Sequence, residues 1–180
     1  MILRKKTVIF KYFSYFLRYM QELDKKDLII LGLLQKNCRM KLTAIAKEAN
    51  LSVDSVKKRI EKMIKNKIFY PRIQLRPRNF GFANILTVNM RLQYSSEEEF
   101  LRFIAYLKSH PNVVEIIQTA GEWDLFIVVI SKDAIEFGKI LSEIRGKFGK
   151  MIVSLSTLLT INNYKFEEYD LTPIIGITNE

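Results

Sequence analysis

The chain has 180 residues, 48% hydrophobic and 12% aromatic, with 29 Lys and Arg against 19 Asp and Glu for a net charge of +10. That is enough apolar material for one medium domain or two small ones, and 7 Gly with 4 Pro is too little for broad disorder. The lone cysteine, Cys38, excludes an internal disulfide and fits a reducing cytoplasm, where the protein is expected; with a single histidine, His110, it also makes a zinc cluster unexpected. No apolar run reaches the roughly 18 residues of a membrane span, and no cofactor or stable membrane association is expected. The charge is unevenly spread. Residues 1–81 carry 20 Lys and Arg against 6 Asp and Glu, net +14, and residues 82–180 carry 9 against 13, net −4. A basic half is the electrostatic footprint of polyanion binding; the other half has a different task.

Residues 1–22 stand apart as an N-terminal extension that is basic and aromatic. Lys11 and Arg18 break the apolar core that a signal peptide needs, and no small-residue cleavage site follows. A helix packed on the domain, or a true start at Met20, is favoured over a helix lying on a membrane surface.

The first helix is predicted to open at Asp24, with Asp27 completing an acidic capping box and Leu23 and Leu28 in the staple positions. Leu28, Ile29, Ile30, Leu31, Leu33 and Leu34 give it a wide apolar face, and Asn37, Cys38 and Arg39 end it. A second helix over 42–49 carries Leu42, Ile45, Ala46 and Ala49 on one stripe, with Asn50 in the turn that follows. The third starts at the N-cap Ser52, with Asp54 suiting the helix dipole. Val53, Val56, Ile60 and Met63 face inward; Asp54, Ser55, Lys57, Lys58, Lys62 and Lys65 face outward. Two helices joined by a short turn, the second with a Ser, Lys and Arg outer face, match the geometry that docks in a DNA major groove. This domain is bounded at 23–67. A strand is expected over 68–75 and a Pro/Gly-bracketed hinge over 77–81, so that 68–82 form the linker.

Residues 83–161 read β-α-β-β-α-β, the split βαβ order of ferredoxin-like folds. The first strand alternates over 85–92. Ser95 or Ser96 caps a helix that begins Glu97, Glu98, Glu99 and buries Phe100, Ile104 and Leu107 before His110-Pro111 stops it. A strand over 113–120, a turn at Gly121-Glu122-Trp123, and a nearly all-apolar strand over 124–130 follow. The second helix, 134–148, turns Phe137, Leu141, Ile144 and Phe148 inward; the last strand covers 152–161, and 162–180 form a tail. The third strand has no polar face. With both helices on one side of the sheet, half of its residues would meet solvent, so the open face is expected to pack on a second copy of the chain.

The order and spacing of these motifs carry a resemblance. Residues 23–39, LDKKDLIILGLLQKNCR, and 49–63, ANLSVDSVKKRIEKM, resemble the first helix, turn and recognition helix of the leucine-responsive / asparagine-synthase regulator (Lrp/AsnC) family. Residues 110–129, HPNVVEIIQTAGEWDLFIVV, resemble the signature of its second domain. The resemblance implies an α+β protein: an N-terminal winged helix-turn-helix domain, a strand-hinge linker, and a C-terminal ferredoxin-like βαββαβ domain of the RAM type. It implies a sequence-specific, DNA-binding transcriptional regulator, not an enzyme, that forms homodimers, tetramers or octamers and senses a small molecule such as an amino acid. Three positions depart from the family pattern. Lys41 stands where Ser or Thr opens the second helix, Asn50 where Gly makes the turn, and Lys67 where Gly follows the recognition helix, with Asn66 expected to take up the left-handed conformation.

The expected contacts with double-stranded DNA are Ser52, Asp54, Ser55, Lys57, Lys58, Arg59 and Lys62. Ser55 and Lys58 are assigned to base edges, and Lys57, Arg59 and Lys62 to phosphates. A charge run is usually a solvated face; here it sits on a recognition helix in a strongly basic half. Arg59 borders the buried stripe, so a tie between helices is its other reading. The resemblance places an effector at the turn containing Gly121, Trp123 and Asp124; apart from the resemblance, Thr119, Ser156 and Thr157 on neighbouring strands are taken as candidate hydroxyls for it, and a plain turn is the bland reading of Gly121 and Asp124. His110, with no carboxylate partner in its motif, and Cys38 are read as structural. Two alternatives are an Lrp-like tetrapyrrole (sirohaem) decarboxylase, disfavoured by the scarcity of His and Arg in the second half, and a co-regulator without DNA binding of its own.

Overall fold

Asp24 opens the first helix in the computed structural model, which describes residues 23–171; the expected extension over 1–22 lies outside the described residues. The Asp24 carboxylate accepts the Asp27 backbone N–H at 2.9 Å, and Asp27 accepts the Asp24 N–H at 3.3 Å, so the reciprocal capping box forms with two aspartates. Helix α1 spans Lys25–Lys36, α2 Leu42–Ala49 and α3 Val53–Lys65. Ile30, Ile45, Ala46, Ala49, Val56 and Met63 form their common core. The stripes read from the sequence are correct at their centres and fray at their ends: Leu42 and Val53 are exposed.

Both turns flanking α3 solve the same problem, the orphan carbonyls of a helix C-terminus. After α2, Asn50 turns left-handed at φ 49; its own N–H returns to Lys47 and that of Leu51 to Ala46. After α3, the N–H of Lys67 returns to Ile64 and that of Ile68 to Met63, a Schellman closure. The left-handed residue there is Lys67, at φ 59, and not the expected Asn66, which stays at φ −86. The closure demands positive φ at the residue after the cap, and Lys67 occupies that place. At the start of α2, Lys41 offers no side-chain cap.

The strand expected over 68–75 does not form, and no strand among the described residues serves as a wing to the three helices. The alternation of Arg72, Gln74 and Arg76 with Ile73 and Leu75 is that of a strand, but no neighbouring strand supplies the ladder; Ile73 stays 74% exposed. Pro71 also removes a donor. The hinge is a 3-10 turn, Pro77–Phe80, ended by Gly81 at φ 104, where a side chain would be strained. Arg78 within it donates to the carbonyls of Ala83, Thr160 and Ile161.

Contacts divide the described chain into two units: 23–74 with 164–171, and 75–163. In the second, β1 (Asn84–Leu92), α4 (Glu97–Ser109), β2 (Val113–Gln118), β3 (Leu125–Ser131), α5 (Ala134–Phe148) and β4 (Ile152–Leu159) give the expected βαββαβ order. The sheet is antiparallel in the order β2-β3-β1-β4. Ser96 and Asp133 cap the two helices through the N–H groups of Glu99 and Glu136. Val88, Met90, Leu125, Ile127 and Val129 line the inner sheet face and pack with Phe103, Leu107, Ile140 and Ile144. The buried centres are Phe103 and Leu107 on α4 and Ile140 and Ile144 on α5; of the expected stripes Leu107 and Ile144 are fully buried, while Phe100, Ile104, Phe137, Leu141 and Phe148 are half-buried neighbours. Fully burying a side chain such as Phe103 stabilises by about 1.5–3 kcal/mol. On the opposite face, register aligns Ile117 with Phe126 and Asn89, Asn89 with Ser156, and Val128 with Thr87. Phe126 and Val128 are half-buried there, and Leu158 is 58% exposed.

Candidate functional site

The outer face of α3 is built by its first turn. The Ser52 hydroxyl accepts the Ser55 N–H at 3.1 Å and donates to the Ser55 hydroxyl at 2.8 Å. Ser55 keeps its own proton to give, so of the two serines it is the freer to meet a ligand. Asp54, Lys57, Lys58 and Lys62 are all exposed, opposite the buried Val56 and Met63. None of the three lysines has an ion-pair partner among the described residues. Lys58 and Lys62 are four apart on the helix, where like charges repel by a few tenths of a kcal/mol. A face of unneutralised cations on a well-capped helix is suited to a polyanion, which would turn that repulsion into attraction.

Arg59 is placed differently from its expected role at a phosphate. Its Nη1 lies 2.6 Å from Asp24 Oδ2 and 2.8 Å from Asp27 Oδ1, the same carboxylates that cap α1. The observed arrangement is the other reading, a tie between α3 and α1. The two aspartates, Asp27 first, raise the Arg59 pKa above its ordinary value. For Asp24, desolvation opposes ionisation, but the Asp27 N–H and Arg59 outweigh it and hold the carboxyl below the usual range. A second stake is Lys26, whose ammonium donates to the Ala49 carbonyl at 2.6 Å and so fixes the end of α2. Sequence reasoning missed Lys26, since nothing in local spacing links residues 23 apart.

The predicted effector residues fall into two places. Thr119, Gly121, Trp123 and Asp124 share the β2–β3 turn. The Thr119 hydroxyl donates to the Trp123 carbonyl at 2.6 Å, and the Thr119 N–H to the Asp124 carbonyl at 3.0 Å. The Asp124 carboxylate accepts the Leu92 N–H at 2.8 Å, where the β1–β4 register shifts. A Cβ at Gly121 would meet nothing within 4 Å. Ser156 and Thr157 sit on the edge strand β4, with β1 between them and β3, so the sheet does not bring them to the turn. A residue the sequence reading missed does reach it: the Arg91 guanidinium lies 5.6 Å from the centre of the Trp123 ring and donates to the Glu122 carbonyl at 3.2 Å. Its signal was faint, a single cation on the outer face near the end of an alternating strand.

His110 has no carboxylate partner in its own motif, but α5 supplies one from outside it: Glu143 Oε2 is 3.9 Å from Nε2. The same Glu143 accepts the Tyr106 hydroxyl at 2.9 Å, and Lys147 stands 4.5 Å over the Tyr106 ring. Burial first, then Glu143, pushes the Tyr106 hydroxyl up to about 12; that hydrogen bond holds Glu143 below its ordinary range. The cluster ties α4 to α5. Among the described residues no group of three or more His, Cys, Asp or Glu is placed to hold a metal ion, and no helix is long and apolar enough to cross a membrane.

Residues 23–64 match the AsnC-type helix-turn-helix domain, and residues 85–168 match the Lrp/AsnC ligand binding domain. An HTH-type transcriptional regulator of Methanocaldococcus jannaschii is 32% identical over 122 residues, covering 67% of this chain and 80% of that one. The HTH-type transcriptional regulator LysM of Sulfurisphaera tokodaii is 28% identical over 157 residues, covering 79% and 99%. Among solved structures, an AsnC family transcriptional regulator from Agrobacterium tumefaciens superposes with a TM-score of 0.74 at 24% identity, covering 84% of this chain and 99% of that one. A transcriptional regulator from Neisseria meningitidis in complex with L-Met gives 0.73 at 18% identity, covering 85% and 99%. The chain belongs to the Lrp/AsnC family of DNA-binding transcriptional regulators. Its relatives are regulators and not enzymes.

Proposed function

We propose that the chain reads double-stranded operator DNA with the outer face of α3 and adjusts that binding to a small effector held at the β2–β3 turn. The observation that carries the DNA assignment is the row Lys57, Lys58 and Lys62, exposed and without ion-pair partners among the described residues, opposite the buried Val56 and Met63. Lys58 and Ser55 are assigned to base edges, Lys57 and Lys62 to phosphates, with Ser52 and Asp54 shaping the first turn. Arg59 holds the helix at its angle through Asp24 and Asp27.

The effector is an amino acid. The turn offers chemistry for both of its charges: Arg91 for the carboxylate, and the second oxygen of Asp124 for the ammonium, beside Trp123 and the open space at Gly121. A fold neighbour was solved with L-Met, which supports the class and not the particular ligand. The open sheet face, where Ile117, Phe126, Val128 and Leu158 stand among Thr87, Asn89 and Ser156, serves as the homodimer interface, so that two recognition helices meet two half-sites; tetramers or octamers build on that dimer. The protein acts in the cytoplasm, where its DNA is.

A salt titration of binding to the duplex upstream of its own gene, against random duplex, tests this reading. Specific binding whose log affinity falls steeply with log salt, weakened by Lys58→Ala, is expected. Equal binding to both duplexes at every salt would sink it. Calorimetry with a panel of amino acids, repeated with Arg91→Ala, tests the effector turn.

A further inference from the structure

The segment after β4 was read from the sequence only as a tail, yet its described part belongs with the helices. Residues 164–171 fall in the same unit as 23–74. Gln35, near the end of α1, holds their backbone at Tyr169. The Gln35 side-chain amide donates to the Tyr169 carbonyl at 2.8 Å and accepts the Tyr169 N–H at 3.1 Å. A side-chain amide thus pairs with one backbone residue through both its groups, as a neighbouring strand would, across 134 positions of sequence. Such a pair fixes the position and direction of the captured backbone, which a single bond does not. Glu167, two residues before, is held at φ 45, a conformation a side chain rarely adopts outside a defined turn.

The chemistry on the two sides of this clip is opposite. Around Tyr169 stand Glu167, Glu168 and Asp170, with Lys165 the one cation between 164 and 171. Beyond Gln35 stand Lys36, Arg39 and Lys41, all exposed, leading into α2. Two residues of chain reach at most about 7 Å, so each carboxylate is anchored close to the clip. Exposed charges act over roughly 8 Å at physiological salt, so the segment competes only for phosphates that come that near its carboxylates. In a helix-turn-helix the helix before the recognition helix crosses the phosphate backbone. The end of α1 and the start of α2 are therefore where phosphates would come.

We propose that the acidic segment 167–170, clipped to Gln35, is an intramolecular competitor for DNA phosphates at the basic α1–α2 turn. Bound DNA displaces it, and its release is part of what binding costs. The inference rests on the DNA-binding reading above. It differs from a merely structural strap in one respect: its charges, and not only its hydrogen bonds, set DNA affinity.

The test uses the full chain and one duplex, the region upstream of its own gene, at two salt concentrations. Gln35→Ala changes no charge but opens the clip; it is expected to raise DNA affinity about threefold to tenfold at low salt and less at high salt. Glu167→Gln with Glu168→Gln keeps the clip and is expected to raise affinity similarly. Glu97→Gln with Glu98→Gln, two carboxylates neutralised on α4, is the control for net charge and is expected to change it less than twofold. Amide exchange at Tyr169 gives an independent readout: protected in the free protein, and exchanging faster once DNA is added. Unchanged or weaker binding by Gln35→Ala, an effect of the α4 control equal to that of the segment, or protection of Tyr169 that persists in saturating DNA would each overturn the proposal. Absence of DNA binding by the wild type and every variant overturns the regulator reading itself and is thereby distinguished from failure of the clip alone.

Discussion

The helical unit and the sheet unit are held together by different physics. In the helices, apolar burial is modest and polar stakes set the angles: Arg59 to Asp24 and Asp27, and Lys26 to the end of α2. In the sheet unit a larger apolar core does that work, with Phe103, Leu107, Leu125, Ile127 and Ile144 all fully buried. The difference follows from the task. A three-helix unit that must present a row of cations has little surface left to bury, and it uses ion pairs whose partners are themselves caps. A four-stranded sheet under two helices can bury nearly everything on one face, and keeps its open face for other purposes.

The comparison is broken or sharpened by substitutions on each side. The largest effect is expected from Phe103→Ala, which removes a ring packed 4.8 Å from that of Phe148. A loss of about 3–5 kcal/mol is expected in denaturant unfolding followed by the fluorescence of Trp123, the single tryptophan and a probe of the sheet unit. A loss below about 1 kcal/mol would mean that the apolar core is not what chiefly holds the sheet unit together. Next comes the cationic row. Replacing Lys57, Lys58 and Lys62 together by Ala is expected to weaken DNA binding by tens-fold or more and to make the salt slope shallower by about one per lysine that meets a phosphate. An unchanged slope would show that another surface carries the phosphates.

Arg59→Ala separates the two kinds of cation. It is expected to cost about 1 kcal/mol of helical-unit stability, a figure kept small because the pair is part-exposed and solvent-screened. Its salt slope should match that of the wild type, since its charge already faces two carboxylates; a slope shallower by one would return Arg59 to the phosphate role. Lys67→Gly is expected to stabilise by about 0.5–1 kcal/mol, because glycine accepts φ 59 without strain; a measured loss would show that the left-handed turn is not strained. The smallest effect is one of pH. The Asp24 carboxyl titrates below its unfolded value, so its contribution is complete above about pH 4 and is lost as pH falls through the lower folded value. Acid unfolding of Arg59→Ala should therefore show less pH dependence than the wild type over that range.

Reading the sequence alone located all three helices of the first unit and both α-helices and all four strands of the sheet unit, because the helices and strands carry their own hydrophobic patterns and most of the helices carry a cap, α2 being the exception. Asp24, Ser52 and Ser96 act within three residues of themselves, and such local bonds can be read from spacing. The same holds for the outward row on α3, since a buried stripe leaves only one side for the lysines. What the sequence could not decide lay in pairings across distance. The segment 68–75 reads as a strand, yet a strand needs a neighbour, and none among the described residues pairs with it. Arg59 could be read as a phosphate ligand or a tie until Asp24 and Asp27 stood beside it, 35 and 32 residues away. His110 gained Glu143 from another helix, Asp124 gave one oxygen to Leu92, and the sheet order set Ser156 apart from the turn it was expected to serve. Gln35 and Tyr169 hold no local signal at all. Periodicity and capping are short-range and belong to the chain; the partner of a charge or an amide is chosen by which surfaces the fold brings together, and that choice is made only in the tertiary structure.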